Sequence, residues 1–317
     1  TTVSFVVNNV ANANIPQETR DRVWAAVEEL GWRPNALARG LRLQQSQMVG
    51  LISDEIVTSP HAGKIIQGAQ DAAWASTKML LVINTANNLD IERAALDMML
   101  ERQVEGLIYA TMYHREVTPP PALAHVPSVL LNCYSADGRI SSVVPDERQG
   151  GRTATETLLR HGHRRIGLIN EIGPLPAMFG RLEGYKQALA AAGIAFDPAL
   201  VRSGVVVAEE GYRCARELMQ LPERPTALFC YNDSMAMGAY DAIRELGLAI
   251  PDDIAIVGFD NLELIAAQLR PTLTTVELPH YAMGQWAVQY LLNHADVDAH
   301  NPIHHAIPCR LIERASV

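Results

Sequence analysis

The chain has 317 residues, of which 48% are hydrophobic and 19% are charged, and its formal net charge is −9. This length suffices for two packed lobes, and the composition is typical of a folded globular protein, which excludes a largely disordered chain. No run approaches the about 18 consecutive apolar residues of a membrane-spanning helix, and no basic-then-apolar leader is found. With four widely spaced cysteines and no CxxC pair, these features favour a cytoplasmic protein with reduced thiols.

The charge is unevenly distributed along the chain. Residues 1–45 carry five Arg against four acidic residues, a net charge of +1, whereas the rest carries 21 basic and 31 acidic residues, a net charge of −10. An acidic protein with a slightly basic N-terminal end suits contact with nucleic acid through that end alone.

The first 45 residues predict a small helical unit. Residues 1–9 have the pattern of a helix tail that ends at an Asn pair. A second helix is predicted over 17–30, where Val23 and Val27 fall at helical spacing and Gly31 follows as a C-terminal cap. A third short helix is predicted over 35–43, and residues 44–47 are polar and typical of a linker.

From residue 48 onward, short apolar runs alternate with segments of helical periodicity. The predicted strands are 48–53, 79–84, 104–110, 127–132, 165–170, 226–232 and 254–260. The predicted helices are 65–75, 92–102, 148–161, 181–192, 209–221 and 234–246. Continuous apolar strands between amphipathic helices indicate parallel sheets covered on both faces. We therefore predict an α/β fold with two doubly wound parallel-sheet lobes.

Polar residues follow most of the predicted strands. They are Asp54, Asn84, Asn132, Asn170, Asn232 and Asp260. In open parallel sheets, ligands bind beyond the carboxyl ends of the strands, so these residues are candidates for a polar cleft. The alternative is that each simply begins a turn or caps the next helix.

Sequence motifs of common enzymes are absent. The chain has no GxGxxG after a strand, no GxxxxGK[ST] loop and no GxSxG elbow. His161, His163 and the pair His304–His305 lack the spacing of a zinc site. We therefore expect no catalytic residues, no metal and no cofactor.

Several segments, taken together and in order, resemble the LacI family of transcription regulators over nearly the whole chain. They are TVSFVVNN, ETRDRVWAAVEELGWRPNALARGLR, GHRRIGLI, GRLEGYKQAL, the long run from PTALFCYND to VGFDN, PTLTTVELP and RLIERASV. The family's headpiece has a helix-turn-helix whose second helix carries TVS, so the sequence begins inside that helix. We expect that the first helix and turn preceded Thr1, through truncation or a misplaced gene start; the alternative is that the protein has lost its own operator recognition.

The resemblance implies a domain organisation. A partial helix-turn-helix and a hinge helix would occupy residues 1–45, and an effector-binding and dimerisation domain like periplasmic sugar-binding proteins would occupy 46–317. The first lobe would comprise about 46–147 and 279–300, and the second about 148–278 and 301–317. We place the three crossings between lobes near 146–148, 276–280 and 299–303.

The resemblance also implies which residues contact DNA. Leu41 matches the family's leucine that is inserted between base steps in the minor groove, which bends the DNA. The other implied DNA contacts lie on the recognition helix and the hinge segment: Thr2, Ser4, Asn35, Ala38, Arg39 and Arg42.

A sugar-like effector is implied for the cleft. Arg181 matches the family's cleft arginine, whose fork can grip a carboxylate or two hydroxyls. Asp260 matches the effector-binding aspartate, and Asn232 is expected to cap a helix, bind the effector or do both. The remaining candidates are His61, Tyr134 and Phe179.

We therefore expect a DNA-binding regulator, most simply a repressor, that forms a homodimer and binds operator DNA and a small sugar-like effector. The alternative is a sugar-binding solute protein without DNA-binding activity, which shares the two-lobed fold. The segment 1–45 argues against that alternative. An enzyme that uses the cleft is the third hypothesis, and no nucleophile-and-base pair supports it.

Overall fold

The computed structural model describes residues 2–7, 13–32, 46–59, 63–294 and 301–317. Two helices form the N-terminal region, α1 (Thr2–Val7) and α2 (Gln17–Glu29). Val6 is buried and anchors α1, which packs against α2. Gly31 follows α2 with φ +57°, a left-handed conformation that glycine adopts without strain and that ends the helix as predicted. The predicted helix over 35–43 lies outside the described residues.

The first lobe begins with a series of alternating strands and helices. Its elements up to residue 146 are β1 (Met48–Ser53), α3 (Gly63–Ala75), β2 (Met79–Asn84), α4 (Leu89–Glu101), β3 (Leu107–Val117), β4 (Ser128–Ser135) and β5 (Ser141–Asp146). Short 3-10 helices at Ile56–Thr58 and Pro121–His125 join them. The central strands are apolar and buried because helices cover both faces of the sheet, whereas the edge strand β2 is only partly buried.

The second lobe repeats this pattern. Its elements are α5 (Glu147–Arg160), β6 (Ile166–Glu171), α6 (Pro176–Ala191), β7 (Val201–Gly204), α7 (Ala208–Met219), β8 (Ala227–Cys230), α8 (Asp233–Glu245), β9 (Ala255–Asp260), α9 (Glu263–Ala266) and β10 (Thr274–Glu277). The chain ends with α10 (His280–Asn293), β11 (His304–Pro308) and β12 (Arg310–Ile312).

Each lobe contains a six-stranded sheet. The strand order is β11-β5-β4-β3-β1-β2 in the first lobe and β12-β10-β9-β8-β6-β7 in the second. All pairs are parallel except β10 with β12, which is antiparallel. This architecture confirms the predicted fold class of two doubly wound lobes preceded by a short helical region.

The chain crosses between the lobes three times. It leaves the first sheet at Asp146, returns after Glu277, and crosses again at Cys309 between β11 and β12. The last crossing lies later than the expected 299–303, because β11 pairs in parallel with β5 from His304 to Pro308. Residues 301–308 therefore belong to the first lobe, which corrects the predicted boundary of the second.

Candidate functional site in the cleft between the lobes

A cavity of about 180 Å³ lies between the two lobes. The first lobe contributes Met112, Tyr113, His114, Asn132 and Pro145, together with Leu278 and His280 at the second crossing. The second lobe contributes Glu147, Glu171, Leu175, Ala177, Arg181, Val206, Tyr231, Asn232, Ser234 and Asp260. Because both lobes line the cavity, a ligand bound there touches both.

Arg181, on α6, is the most highly connected polar residue of the cavity. Its Nε donates to Glu147 Oε2 at 2.8 Å, and its Nη1 donates to the carbonyl oxygen of Tyr231. The guanidinium lies 3.6 Å from the Phe259 ring centre and 4.3 Å from that of Tyr231. Burial by itself lowers the pKa of Arg181, but the facing Glu147, Tyr231 and Asp260 groups outweigh it and raise that pKa. The guanidinium is therefore fixed in position and charged.

Glycines allow the Arg181–Glu147 pair to form. Glu147 is the first residue of α5, and α6 packs closely against this helix. A Cβ atom at Gly180 would lie 2.6 Å from Glu147 Cβ, and a Cβ atom at Gly184 would collide with the backbone of Arg148. Side chains at these positions would separate the two helices and break the buried ion pair.

Asp260 lies at a strained bend after β9. Its φ is +98° and that of Asn261 is +52°, conformations that cost about 1–3 kcal/mol each for residues other than glycine. Its Oδ1 is 3.6 Å from Arg181 Nη2. The bend aims the carboxylate at the cavity instead of continuing the strand.

Asp233, the first residue of α8, stabilises this bend. It accepts hydrogen bonds from the backbone N–H of Leu262 and the hydroxyl of Thr275, both at 2.6 Å. Burial, reinforced by the nearby Asp260 carboxylate, raises the pKa of Asp233 to about 8. Asp233 is therefore protonated around neutral pH.

Asn232 serves as a helix cap and also faces the cavity. Its Oδ1 accepts a hydrogen bond from the backbone N–H of Met235 at 2.9 Å, which satisfies the first turn of α8. Asn132 on the opposite lobe is similarly fixed, since its Nδ2 donates to the carbonyl oxygens of Thr111 and Met112 at 3.0 Å. Both amides are therefore rigid.

His114 brings the first lobe into contact with the buried ion pair. Its Nδ1 is 4.0 Å from Glu147 Oε1, and its ring packs edge-on against Tyr134 at 5.8 Å between centres. Burial lowers the pKa of His114, against the opposing effect of Glu147. Its Nδ1 is buried, and no described residue hydrogen-bonds it. The imidazole is therefore neutral at physiological pH.

An ion pair joins the lobes at the rim of the cleft. Lys64, on α3 of the first lobe, lies 3.0 Å from Glu277 and 3.7 Å from Glu263, both in the second lobe. Asn261 Nδ2 also donates to Glu277 Oε1 at 3.1 Å. The bend that carries Asp260 is thus connected through Asn261 to the contact between the lobes.

The structure brings three of the predicted effector residues together at the cavity: Arg181, Asn232 and Asp260. Tyr134 lies behind His114, and Phe179 is 57% exposed on α6; neither lines the cavity. His61 lies outside the described residues. Among the polar strand ends, Asn132 also lines the cavity, whereas Asp54 accepts from the Met112 N–H and pairs with Arg115.

Sequence reasoning missed most of the residues that line the cavity, among them Glu147, Glu171 and His114. Glu171 carried a usable signal, because it is the last residue of the buried strand β6 and follows the selected Asn170, whereas Glu147 did not. The strand before Glu147 reads SSVVPD, which is too polar to be recognised as a buried strand. His114 carried no comparable signal, because β3 continues beyond its apolar run.

The N-terminal helix α1 carries two of the predicted DNA contacts. Thr2 is exposed and Ser4 is half-buried on this helix. The other predicted contacts, Asn35, Ala38, Arg39, Leu41 and Arg42, lie outside the described residues. In the part of the chain that is described, no three His, Cys, Asp or Glu residues are grouped to hold a metal ion. The described helices include none long and apolar enough to span a bilayer.

The two lobes, the three crossings and the polar cleft define a periplasmic-binding-protein-like domain, and the model of that domain family matches residues 155–317. The model of bacterial regulatory proteins of the lacI family matches residues 1–35. The HTH-type transcriptional repressor PurR of Escherichia coli O139:H28 is 35% identical over 100% of this chain and 93% of its own. The chain belongs to the LacI family of bacterial transcription regulators, which confirms the resemblance found in the sequence.

Solved structures agree with this assignment. The lac repressor dimer bound to operator and an anti-inducer is 27% identical, with a TM-score of 0.78 over 99% of this chain and 94% of that one. The transcriptional regulator CelR in complex with cellobiose is also 27% identical, with a TM-score of 0.71 over 99% and 94%. Like its relatives, the chain combines a DNA-binding region with an effector-binding domain, the organisation of a ligand-regulated transcriptional repressor.

Proposed function

We propose that a small polyhydroxylated ligand closes the cleft and thereby sets the affinity of this repressor for its operator. The observation that carries this proposal is the cavity, where Arg181, Asn232 and Asp260 of one lobe face Asn132 and His114 of the other. A ligand that touches both lobes binds the closed form more tightly than the open form. Only such a difference in affinity can shift a conformational equilibrium.

In this proposal each cavity residue has a chemical role. Asp260 accepts two hydroxyl hydrogen bonds, and Asn232 offers an amide N–H₂ while its oxygen caps α8. Arg181 orients Asp260, and its positive charge allows the carboxylates of Asp260 and Glu147 to lie close together. Its buried pairing with Glu147 makes it an organiser of the site as well as a ligand contact.

We infer that DNA is contacted by α1 and by the hinge segment, with Leu41 as the residue inserted in the minor groove. Since its partner is DNA, the protein acts in the cytoplasm. The regulators it resembles bind ligands without transforming them, and we infer the same for this cleft rather than an enzymatic reaction.

We also infer a homodimer, since paired hinge helices require two-fold symmetry. Large apolar side chains are exposed on the first lobe at Trp74, Leu89 and Met98, where they are 79%, 71% and 45% exposed. They support an interface along α3 and α4. Sedimentation that shows only monomer at micromolar concentration would contradict it.

The test of the proposed function joins the two binding activities. Binding sites are selected from a randomised DNA pool, and the affinity for the selected site is measured by fluorescence anisotropy with and without ribose, cellobiose and other neutral sugars. We expect one sugar to change the DNA affinity at least about tenfold. Leu41→Ala should lose DNA affinity and retain the thermal shift given by that sugar. DNA binding that ignores every ligand bound in the cleft would overturn the proposal.

A further inference from the structure

The cavity carries an excess of negative charge. Of its described lining residues, Glu147, Glu171 and Asp260 are carboxylates and Arg181 is the single basic residue with a permanent charge. The formal charge of these four side chains is −2. In a small, partly enclosed space this negative charge is weakly screened by salt, so the cavity strongly favours positively charged ligands.

Arg181 does not offer its charge to an anionic ligand. Two of its nitrogens already donate to Glu147 and to the carbonyl oxygen of Tyr231, and the third lies 3.6 Å from Asp260. The rings of Phe259 and Tyr231 pack against the guanidinium at 3.6 and 4.3 Å. A phosphate or carboxylate would have to displace a carboxylate of the protein to reach it.

Among the described residues, Glu171 is the lining carboxylate that forms no ion pair with a basic side chain. It is the last residue of β6 and lines the cavity. Its carboxyl group faces the Tyr231 hydroxyl, whose pKa is raised by burial and by this contact. However, its Oε2 is buried and no described residue hydrogen-bonds it. A carboxylate that lines a cavity and has no basic partner among the described residues favours a ligand that supplies a charged donor.

We propose that the cleft recognises a polyhydroxylated ligand that carries an ammonium group, such as an amino sugar, with the ammonium donating to Glu171. The hydroxyls bind Asp260 and Asn232, and phosphorylated or carboxylated sugars are rejected. This inference rests on the proposed function, because it takes the cleft as the ligand site and names the class of ligand.

Matched sugars test this inference. Glucose, galactose and mannose are compared with their 2-amino-2-deoxy forms, their 6-phosphates and their uronic acids by thermal shift and calorimetry on the whole chain. We expect an amino sugar to bind at least about tenfold more tightly than its parent hexose, the effect of one charged hydrogen bond. Tighter binding of the parent hexose, a phosphate or a uronic acid would overturn the inference.

Glu171→Gln provides the decisive variant, with the exposed Glu223→Gln as its control. Glu171→Gln should abolish the preference for the amino sugar, measured as the ratio of its affinity to that of the parent hexose in the same variant. Without any ligand it should also raise the Tm by roughly 2 °C or more, because an uncompensated charge is removed. If no sugar of the panel binds, this ligand-free comparison decides, and a Tm that is unchanged or lowered relative to the control overturns the inference.

The two proposals fail in different ways. An amino sugar that binds but leaves DNA affinity unchanged would refute the proposed function and keep the ligand class. A neutral sugar that binds more tightly than its amino form and controls DNA binding would refute the inferred ligand class and support the proposed function.

Discussion

Arg181 and Glu147 form a buried ion pair between α5 and α6, with Nε and Oε2 2.8 Å apart and side-chain exposures of 4% and 5%. A buried pair of this kind contributes little net stability when intact, because both charges have lost their hydration. Removing one partner is strongly destabilising, because it leaves the other charge buried and unpaired. A substitution of either residue alone is therefore expected to cost more stability than its share of the intact pair contributes.

We predict that Arg181→Met and Glu147→Met each lower the free energy of unfolding by about 3–5 kcal/mol. The double variant should cost less than the sum of the two by about 1–3 kcal/mol. Urea denaturation measures all three. The exposed pair Arg152–Glu156, 2.6 Å apart on α5, is the control, and its coupling should stay below about 0.5 kcal/mol. Additive costs at Arg181 and Glu147 would refute the coupling.

Asp260→Asn should weaken ligand binding by about ten- to a hundredfold and leave the fold intact. The amide replaces one acceptor oxygen with a donor, so a hydroxyl of the ligand loses its partner, at about 1–3 kcal/mol. Calorimetry with the ligand that gives the largest thermal shift measures this, with the exposed Asp252→Asn as control. Unchanged affinity would remove Asp260 from the site, and a collapsed Tm would assign it a structural role.

The raised pKa of Asp233, about 8, predicts a pH dependence of stability. The folded state keeps a proton on this group that the unfolded state, with a pKa near 3.8, has lost. Between these two values, raising the pH therefore destabilises the fold, by up to about 1.4 kcal/mol per pH unit.

Asp233→Asn should remove this contribution, because its amide can still accept from Leu262 N–H and donate to Thr275. The difference in unfolding free energy between variant and parent should grow from pH 6 to pH 8 in favour of the variant. Parallel pH profiles would show that Asp233 is ionised throughout this range.

Lys64→Met should open the cleft with little loss of stability. Lys64 is 43% exposed, so its pairs with Glu277 and Glu263 contribute at most about 1 kcal/mol. They are, however, contacts between lobes, and their loss acts on closure directly. We expect several-fold weaker ligand binding and a larger radius of gyration by small-angle scattering. Lys78→Met is the control, because Lys78 pairs with Glu105 inside the first lobe. An equal effect from both variants would contradict the assignment.

Much of the core could be predicted because its strands are continuous apolar runs. The strands at 48–53, 79–84 and 254–260 have such runs, and the structure has β1, β2 and β9 over nearly the same residues. Three of the four edge strands, β7, β11 and β12, were missed, since an edge is half solvated and needs less apolar sequence. Thus β7 reads VRSG and β11 reads HHAIP. The misplaced third crossing has the same cause, because β11 was not recognised as a strand.

The site could be predicted only in part, because position after an apolar strand is visible in the sequence and contacts between distant elements are not. Asp260 and Asn232 follow apolar strands and could be selected by position, but their fixed geometry depends on distant residues. Asp233 holds the bend through Leu262 and Thr275, and Glu147 reaches Arg181 only because Gly180 is small. Such contacts between elements leave no periodic trace in the sequence.

The late crossing at Cys309 also bears on how the protein is made. The last 14 residues supply an edge strand to each sheet, β11 to the first lobe and β12 to the second. The first lobe must therefore wait for the ribosome to synthesise the entire second lobe before its sheet is complete. Ser316 closes the second lobe by donating to the Ile256 carbonyl and accepting from Thr274 N–H. A nascent chain released before residue 303 would expose an unpaired strand edge on both lobes at once, the kind of surface on which partly made proteins aggregate.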